Sequence, residues 1–250
     1  DSFVFIDDNP AEREIVKKQI PEVAVPVMDK PENYISVLDH SGYFEVTALS
    51  KEDTEKTKLY QAKAEAVRQV AAFADYSDYL RSLEMTVVLT DFQPMYIQRI
   101  AQLTNKSNQF NLTTKRCSEE DIRHMQESDE YVCLCGRLKD KFGDNGIVSV
   151  VAGKIEDEVL AIQLWLMSCR VLKRGMEDAM MNELVRLARQ RGIKTIRGYY
   201  YPTAKNGMVK DFFVNEGFTR IEDTEKQNVD ELQVDCYTER DIYMQVEDRI

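Results

Sequence analysis

The sequence predicts an α/β chain in two parts, α/β at its start and α+β in its larger second part, and three observations carry that reading. Residues 1–40 alternate short apolar runs with helix-like segments. Residues 159–192 join a strand-length apolar run to an amphipathic helix through a tight basic turn. Between them, residues 50–82 are charged and free of glycine, with an apolar stripe at helical spacing.

Phe3 to Ile6 reads as a short buried strand ending in Asp7-Asp8-Asn9-Pro10. Asn9 is suited to cap a helix and Pro10 to fill its first turn. Val23–Val27 is predicted as a second strand and Pro31–Leu38 as a short helix, an order that implies a parallel sheet under helices. Asp7 and Asp8 then stand at the carboxyl end of a strand, where such folds place ligands, and their hard oxygens suit Mg²⁺. The plainer reading is that both aspartates only start the turn. Asp1 leads directly into strand-like sequence, which reads as the interior of a longer protein.

Leu59, Ala62, Ala66, Val70 and Phe73 give the 50–82 stretch its helical stripe, and Asp75 to Leu80 closes that helix or forms a second short one. No Gly/Ser/Pro linker occurs, so packed rather than tethered halves are expected. From residue 84 the predicted order is a strand at Met85–Leu89, a helix at Gln93–Leu103, and an amide-rich stretch from Asn105 to Thr114. Four amide side chains so close together must bond the backbone or a ligand. A short helix at Glu119–Met125 precedes three strands, Tyr131–Leu138, Ile147–Ile155 and Val159–Met167, joined by turns at Phe142–Gly146 and Glu156-Asp157. Thr195–Tyr200, a helix at Lys205–Asn215, and strands at Leu232–Tyr237 and Ile242–Val246 close the chain.

The 159–192 stretch carries most of the chemistry. Met176, Met180, Leu184, Leu187 and Ala188 define the buried face of its helix. Ser168 to Gly175 forms the turn, and a strand running into a helix start leaves unpaired N–H groups that suit a phosphate. Arg170, Lys173 and Arg174 add charge there, with Gly175 just before the helix. Arg186, Arg189, Arg191 and Lys194 are expected to widen the basic patch.

A net charge of −11 argues against nonspecific nucleic-acid binding. Five cysteines at irregular spacing do not form a disulfide framework, which points to a reducing cytosol. Cys133 and Cys135 share one face of a strand and read as core. With only His40 and His124 elsewhere, a zinc cluster lacks ligands. The longest apolar run, 159–167, is too short to cross a bilayer, and no signal peptide is present, so no membrane role and a cytoplasmic location are expected.

The turn and the segment from Asn206 to Phe218 resemble the Gcn5-related N-acetyltransferase (GNAT) superfamily. Arg170 and Gly175 fit its Arg/Gln-x-x-Gly-x-Gly/Ala pyrophosphate loop, while Lys173 replaces the first glycine. Asn206, Phe213, Gly217 and Phe218 fit the following helix pattern, and Phe213 stands where that superfamily often has a proton-donating tyrosine. The Asp7-Asp8 run resembles the last acidic motif of haloacid dehalogenase (HAD) phosphatases, without the nucleophilic Asp-x-Asp-x-Thr/Val motif. Asp-Asp-Asn-Pro-Ala-Glu-Arg-Glu, Asn-Lys-Ser-Asn-Gln-Phe-Asn-Leu-Thr-Thr, Lys-Phe-Gly-Asp-Asn-Gly, Ser-Cys-Arg-Val-Leu-Lys-Arg-Gly-Met-Glu and Tyr-Pro-Thr-Ala-Lys-Asn are similar together to the FkbH-like proteins.

That resemblance implies the C-terminal part of a Rossmann-like HAD domain (1–49), a bridging helical segment (50–83) and a GNAT-like mixed-sheet acyltransferase domain (84–250). It also implies an activity: transfer of a glyceryl-type group from a phosphorylated three-carbon acyl donor to an acyl-carrier-protein thiol, in a polyketide-like biosynthetic setting. Phosphopantetheine or coenzyme A would sit on Arg170, Lys173, Arg174 and Gly175, and Mg²⁺ on Asp7 and Asp8. An acetyl-CoA-dependent N-acetyltransferase and a non-catalytic carrier-docking domain are the alternatives. Cys169 is read either as a small core residue or as a thiolate that takes the acyl group. Glu177 is placed to orient substrate or act as a base, or to serve ordinary helix-end electrostatics, and Asn206 joins Cys169 and Glu177 as a candidate catalytic residue.

Overall fold

The computed structural model describes residues 3–45 and 75–248. The chain divides into two compact units, Asp1–Ser50 and Lys51–Ile250. The predicted helix carrying Leu59 to Phe73 falls outside the described residues.

In the first unit, helix α1 (Pro10–Gln19) starts as expected: Asn9 Oδ1 accepts from Ala11 N at 3.0 Å and Pro10 opens the first turn. The flanking strands are shorter than predicted, a single parallel bridge between Val4 and Ala24. Residues 31–33 form a 3₁₀ turn that runs into α2 (Tyr34–His40). The strand–helix–strand–helix order is therefore present, with its sheet reduced to one bridge.

The second unit is built on an eight-stranded mixed sheet. Asp75 caps α3 (Tyr76–Ser82) by accepting from Ser77 N at 3.1 Å. Then follow β1 (Met85–Thr90), α4 (Ile97–Lys106), α5 (Glu119–Glu127), β2 (Tyr131–Asp140), β3 (Gly143–Glu156) and β4 (Val159–Met167). Helix α6 (Met176–Gln190) leads to β5 (Thr195–Tyr200), α7 (Phe212–Asn215), β6 (Thr219–Asp223), β7 (Asn228–Gln233) and β8 (Met244–Asp248). The sheet order is β6-β7-β5-β4-β3-β2-β1-β8. Helices cover both faces: α6 packs with Leu134, Val148, Ile162 and Trp165, while α4 and α5 pack with Val150, Leu164 and Leu166 on the other side. Among the described residues, no helix is long and apolar enough to cross a membrane.

Three details position the site. Gly136 in β2 has no side chain because α6 lies flush on it; a Cβ there would come within 2.0 Å of Met176 Cε. Strands β4 and β5 are parallel but pair over only three positions, Val159–Ala161 with Thr195–Arg197. Past that point Phe110–Leu112 takes the open edge of β4, with Leu112 N donating to Trp165 O and Met167 N to Phe110 O, both at 3.0 Å. Leu112 O in turn accepts from Tyr201 N at 2.9 Å, so the inserted segment ties the two diverging strands together.

The structure departs from the sequence expectations in four places, the first being the strand expected at Leu232–Tyr237, which runs at Asn228–Gln233 and gives way to a 3₁₀ turn at Val234–Cys236. The turn predicted at 142–146 lies inside β3, because the hairpin closes at Lys141-Phe142, where Asp140 Oδ1 accepts from Phe142 N and Gly143 N. The helix predicted at 205–215 is broken into a 3₁₀ turn at Gly207–Val209 and the short α7. Strand β6, Thr-Arg-Ile-Glu-Asp, has no apolar alternation because it is a mostly exposed edge strand, stabilised by pairing with β7 rather than by burial.

Candidate functional site

The candidate site is the turn between β4 and α6. Ser168 Oγ accepts from Arg170 Nε at 3.2 Å, which steadies a 3₁₀ turn over Cys169–Val171. Val171 is fully buried and anchors the turn, while Cys169 is exposed. Of the two readings for Cys169, the buried one is excluded. Lys173 (φ 64°) and Gly175 (φ 79°) are both left-handed and reverse the chain into α6. This explains physically why glycine suits the Lys173 position in the resembled pattern: a Cβ is disfavoured in that conformation. Tyr76 Oη donates to Lys173 O at 2.8 Å and holds the turn from the side. Gly175 has no side chain to cap α6, so the helix starts without a side-chain cap.

Arg174 does not belong to the exposed charge of the turn. It is buried and paired with Asp140, Nη1 to Oδ2 at 2.5 Å, and Asp140 also accepts from Asn145 Nδ2 at 3.2 Å. Its role is to fasten the β2–β3 hairpin to the turn; Arg170 is half-buried and donates to Ser168 Oγ and, through Nη2, to Asn145 O at 3.4 Å, so Lys173 is the exposed cation of the turn. The expected widening of the patch fails as well. Arg186 pairs with Glu183, Arg189 donates to Val234 O and Tyr237 O, Arg191 to Asp129 O and Tyr131 O, and Lys194 pairs with Glu158. These side chains start more than two helical turns along α6 from the anion turn, roughly 15 Å or further.

Behind the turn lies a cluster of carboxylates that sequence reasoning identified only at Glu177. Burial pushes the Glu177 carboxyl up, against backbone N–H groups of Glu177, Lys173 and Met176 that pull it down. Its Oε2 is buried without a hydrogen-bond partner. Burial also raises Asp178, opposed by Arg240. Glu216, which follows α7 and is 5 % exposed, is pushed up to about 7 by burial, with Arg240 opposing and Asp178 and Glu177 reinforcing. Arg240 reaches both: Nε lies 3.1 Å from Glu216 Oε2 and Nη1 3.5 Å from Asp178 Oδ1. Asn182 clamps the backbone of Arg240, accepting from its N at 3.0 Å and donating to its O at 2.9 Å. These partners lie far apart in sequence, and no local pattern marks them.

Asn206 is fully buried and all its contacts are to protein. Its Nδ2 donates to Asn111 O (3.0 Å) and Tyr201 O (2.9 Å), and its Oδ1 accepts from Thr203 N (2.8 Å), Thr203 Oγ1 (2.9 Å) and Tyr200 Oη (3.3 Å). It locks the inserted 110–112 segment to the loop after β5, which makes it a positioning residue. Three of the four amides of this stretch turn to the protein: Asn105 and Asn111 donate to backbone carbonyls, and Asn108 accepts from Arg116. Phe213, 1 % exposed, stacks among Trp165, Phe212 and Phe218 and fills the space left by Gly198, so it is core.

In the first unit, Asp7 Oδ1 accepts from Asn9 N at 2.8 Å, a turn-forming bond. Arg13 donates to the carbonyls of Asp7 and Asp8, both at 2.9 Å, and pairs with Asp29 at 2.7 Å. The neighbouring third carboxylate is thus taken by a guanidinium, and a positive charge sits against the two strand-end carbonyls. Nothing in these contacts supports Mg²⁺ at Asp7 and Asp8, whose backbone is fixed by Arg13 and by the helix start. What the structure shows at the pair is the turn and helix start of the plainer reading. Among the described residues no group of three metal-ligating side chains occurs.

Cys133 and Cys135 are core, as expected, and burial raises both thiols, Cys135 to about 11. His124 stacks edge-on with Tyr131, which lies level with Lys154 and Ala161 across the sheet. That is six strand residues, roughly 20 Å, from the Met167 end of β4 beside Cys169.

No family model matches the chain, and no curated protein matches it in sequence. Solved structures similar in chain course include the ribosomal-protein-S18-alanine N-acetyltransferase from Escherichia coli (11% identity, TM-score 0.46, 59% of this chain and 94% of that one). The GNAT domain of S. lividans PAT is 17% identical at TM-score 0.46, over 58% of this chain and 89% of its own. The PaiA N-acetyltransferase from Thermoplasma acidophilum, in complex with coenzyme A, is 13% identical at TM-score 0.43, over 59% and 98%. What this chain's own sheet defines is a mixed α/β fold with a strand–turn–helix unit beside a parted strand pair.

Proposed function

We propose that the second unit is an acyltransferase working on a phosphopantetheine thiol. In this reading a glyceryl-type acyl group passes from a phosphorylated three-carbon donor to the thiol of an acyl-carrier protein. The observation that supports it is the exposed Cys169 beside Arg170 and Lys173, at the uncapped start of a fifteen-residue helix. A helix start without a side-chain cap and the two cations suit the phosphate of a phosphopantetheine arm. The reading requires the arm to fold back from the held phosphate, so that its thiol end reaches the Cys169 sulfur. The Cys169 thiolate attacks the acyl carbonyl of an acyl phosphate, a C–S bond forms and phosphate departs. The arm's thiolate next attacks that thioester and regenerates the cysteine. Asn206 and Asn111 hold the two loops beside this path, and Glu177 lies against the turn's backbone.

The experiment is single-turnover loading of a carrier protein from an acyl phosphate. Cys169→Ala should lose loading by orders of magnitude, whereas Cys133→Ala, at a core position, should keep the rate per folded molecule. Full loading by Cys169→Ala removes the covalent step. The second reading, an acetyl-CoA-dependent N-acetyltransferase, draws on the same anion-holding turn. Phe213 counts against it, since it offers no proton to a departing thiolate. Amine acetylation that survives Cys169→Ala would favour this second reading.

A further inference from the structure

The sheet of the second unit leaves one face bare at its β5–β7–β6 end. Among the described residues, the apolar cluster under α4 and α5 takes its strand residues from β2, β3 and β4 alone, Cys135, Val150 and Leu166 among them. On β5, Ile196 and Tyr200 are buried in the cluster on the α6 side, while Arg197, Tyr199 and Tyr201 alternate to the other face. Cross-strand register lays out two rows on that face. The first is Arg197, Glu231 and Thr219, and the second is Tyr199, Val229 and Glu222.

The two rows differ in charge balance. In the first a cation meets a carboxylate, with Arg197 Nη2 2.6 Å from Glu231 Oε1. In the second, exposed Glu222 accepts from the neutral Gln227 amide at 2.8 Å and has no ion pair among the described residues. Arg220, the cation of its own strand, is taken by Asp230 and Asp211. Beside this row stand two parallel rings: Tyr199 and Tyr201 have centroids 6.4 Å apart and planes within 8°. Tyr201 is 37 % exposed, yet its backbone is fixed, since its N donates to Leu112 O and its O accepts from buried Asn206 Nδ2, both at 2.9 Å.

We propose that Tyr201 and Glu222, with Tyr199 beside them, receive an arginine side chain of a partner protein. A rigid ring held open to water attracts a cation to its face, and a carboxylate lacking a cation supplies the counter-charge. Two strand spacings, about 10 Å, separate the Tyr199 and Glu222 backbones, a span that the two side chains and a guanidinium between them fill. Arginine fits better than lysine because its planar fork stacks on a ring and bonds a carboxylate at once. The face is open and encloses no small molecule, so the guanidinium belongs to a protein side chain rather than to a free ligand. Leu112 bonds both Trp165 O and Tyr201 N, so the surface lies toward the same end of the sheet as the β4–α6 turn. The inference stands apart from the reading of that turn and does not depend on it.

The test is ligand-observed NMR titration of the purified chain with three probes: Ac-Gly-Arg-Gly-NH2 and its lysine and citrulline counterparts. The arginine peptide should bind saturably, with its side-chain methylene protons shifted upfield by the tyrosine rings. It should bind about threefold or more tighter than the uncharged citrulline peptide and than the lysine peptide. That comparison uses the native chain and stands even where a variant folds poorly. Glu222→Gln should weaken the arginine peptide by about two- to fivefold, and Tyr201→Leu should abolish the upfield shift. Equal binding of the citrulline peptide overturns the cation site, and equal binding of the lysine peptide overturns the choice of arginine. An upfield shift that survives Tyr201→Leu, or no saturable binding of any probe, overturns the proposal as a whole.

Discussion

Lys173 and Arg174 are adjacent, carry the same charge, and do opposite jobs. Lys173 is exposed, so its reversal to Glu should weaken anion binding and change stability by no more than about 1 kcal/mol. Arg174 is buried against Asp140, and Arg174→Ala leaves that carboxylate buried and uncompensated. A loss of about 3–5 kcal/mol is expected, read by chemical denaturation. The sequence showed three basic residues and no way to rank them, because Asp140 lies thirty-four positions away. Glu216 gives a second prediction at this scale. Its folded carboxyl, near 7, lies above its ordinary value of 4.5, so the native state binds a proton that the unfolded chain releases first. Its contribution is fully present below about 4.5 and is lost as pH rises through about 7, on the order of 3 kcal/mol in all. Melting curves across that window should show this slope in wild type and a reduced slope in Glu216→Gln; identical slopes would contradict it.

Helix α6 shows how far an element can be read from its own residues. All five apolar positions expected on its buried face are buried, because a 3.6-residue repeat states which side meets the sheet. What it meets is written elsewhere, at Gly136, where the absent Cβ lets Met176 and Met180 lie on β2. Gly136→Ala should displace those flexible methionines and cost about 1–3 kcal/mol, measured by denaturation. A neutral result would show that the helix can shift without penalty. The edge strand β6 was illegible for the opposite reason: it is stabilised by backbone pairing with β7 and carries exposed charges, so it shows no two-residue apolar rhythm. The 110–112 insertion was also out of reach. Its amides promised backbone or ligand bonds, but only the fold shows that they anchor a segment along the edge of β4.

At the scale of the whole molecule, a net charge of −11 surrounds a small positive feature made by Arg170, Lys173 and a helix start. An acidic carrier protein would be repelled by most of this surface and drawn only to that turn. Attraction and repulsion both fade with salt, so the association rate should respond to ionic strength chiefly through Lys173. Lys173→Glu should flatten or invert the wild-type salt dependence in stopped-flow measurements; an unchanged profile would place the docking elsewhere. The mixed sheet was legible because alternating strands and helices state their own architecture. The acidic pair at residues 7 and 8 was open to two readings, and the structure shows the turn-forming one. Its environment is set by Arg13 and Asp29, and a two-residue motif says nothing about what neutralises it.

The central claim is that the sulfur at the end of β4 is the acyl acceptor of this turn. It is tested most directly by intact-protein mass spectrometry after mixing the chain with an acyl phosphate and no carrier protein. Cys236, the other exposed cysteine among the described residues, is the internal control. The account predicts one acyl adduct, present in wild type and in Cys236→Ala, absent from Cys169→Ala, and discharged by a phosphopantetheine thiol. An adduct that persists in Cys169→Ala, or a wild-type chain that loads a carrier without ever forming one, would contradict it.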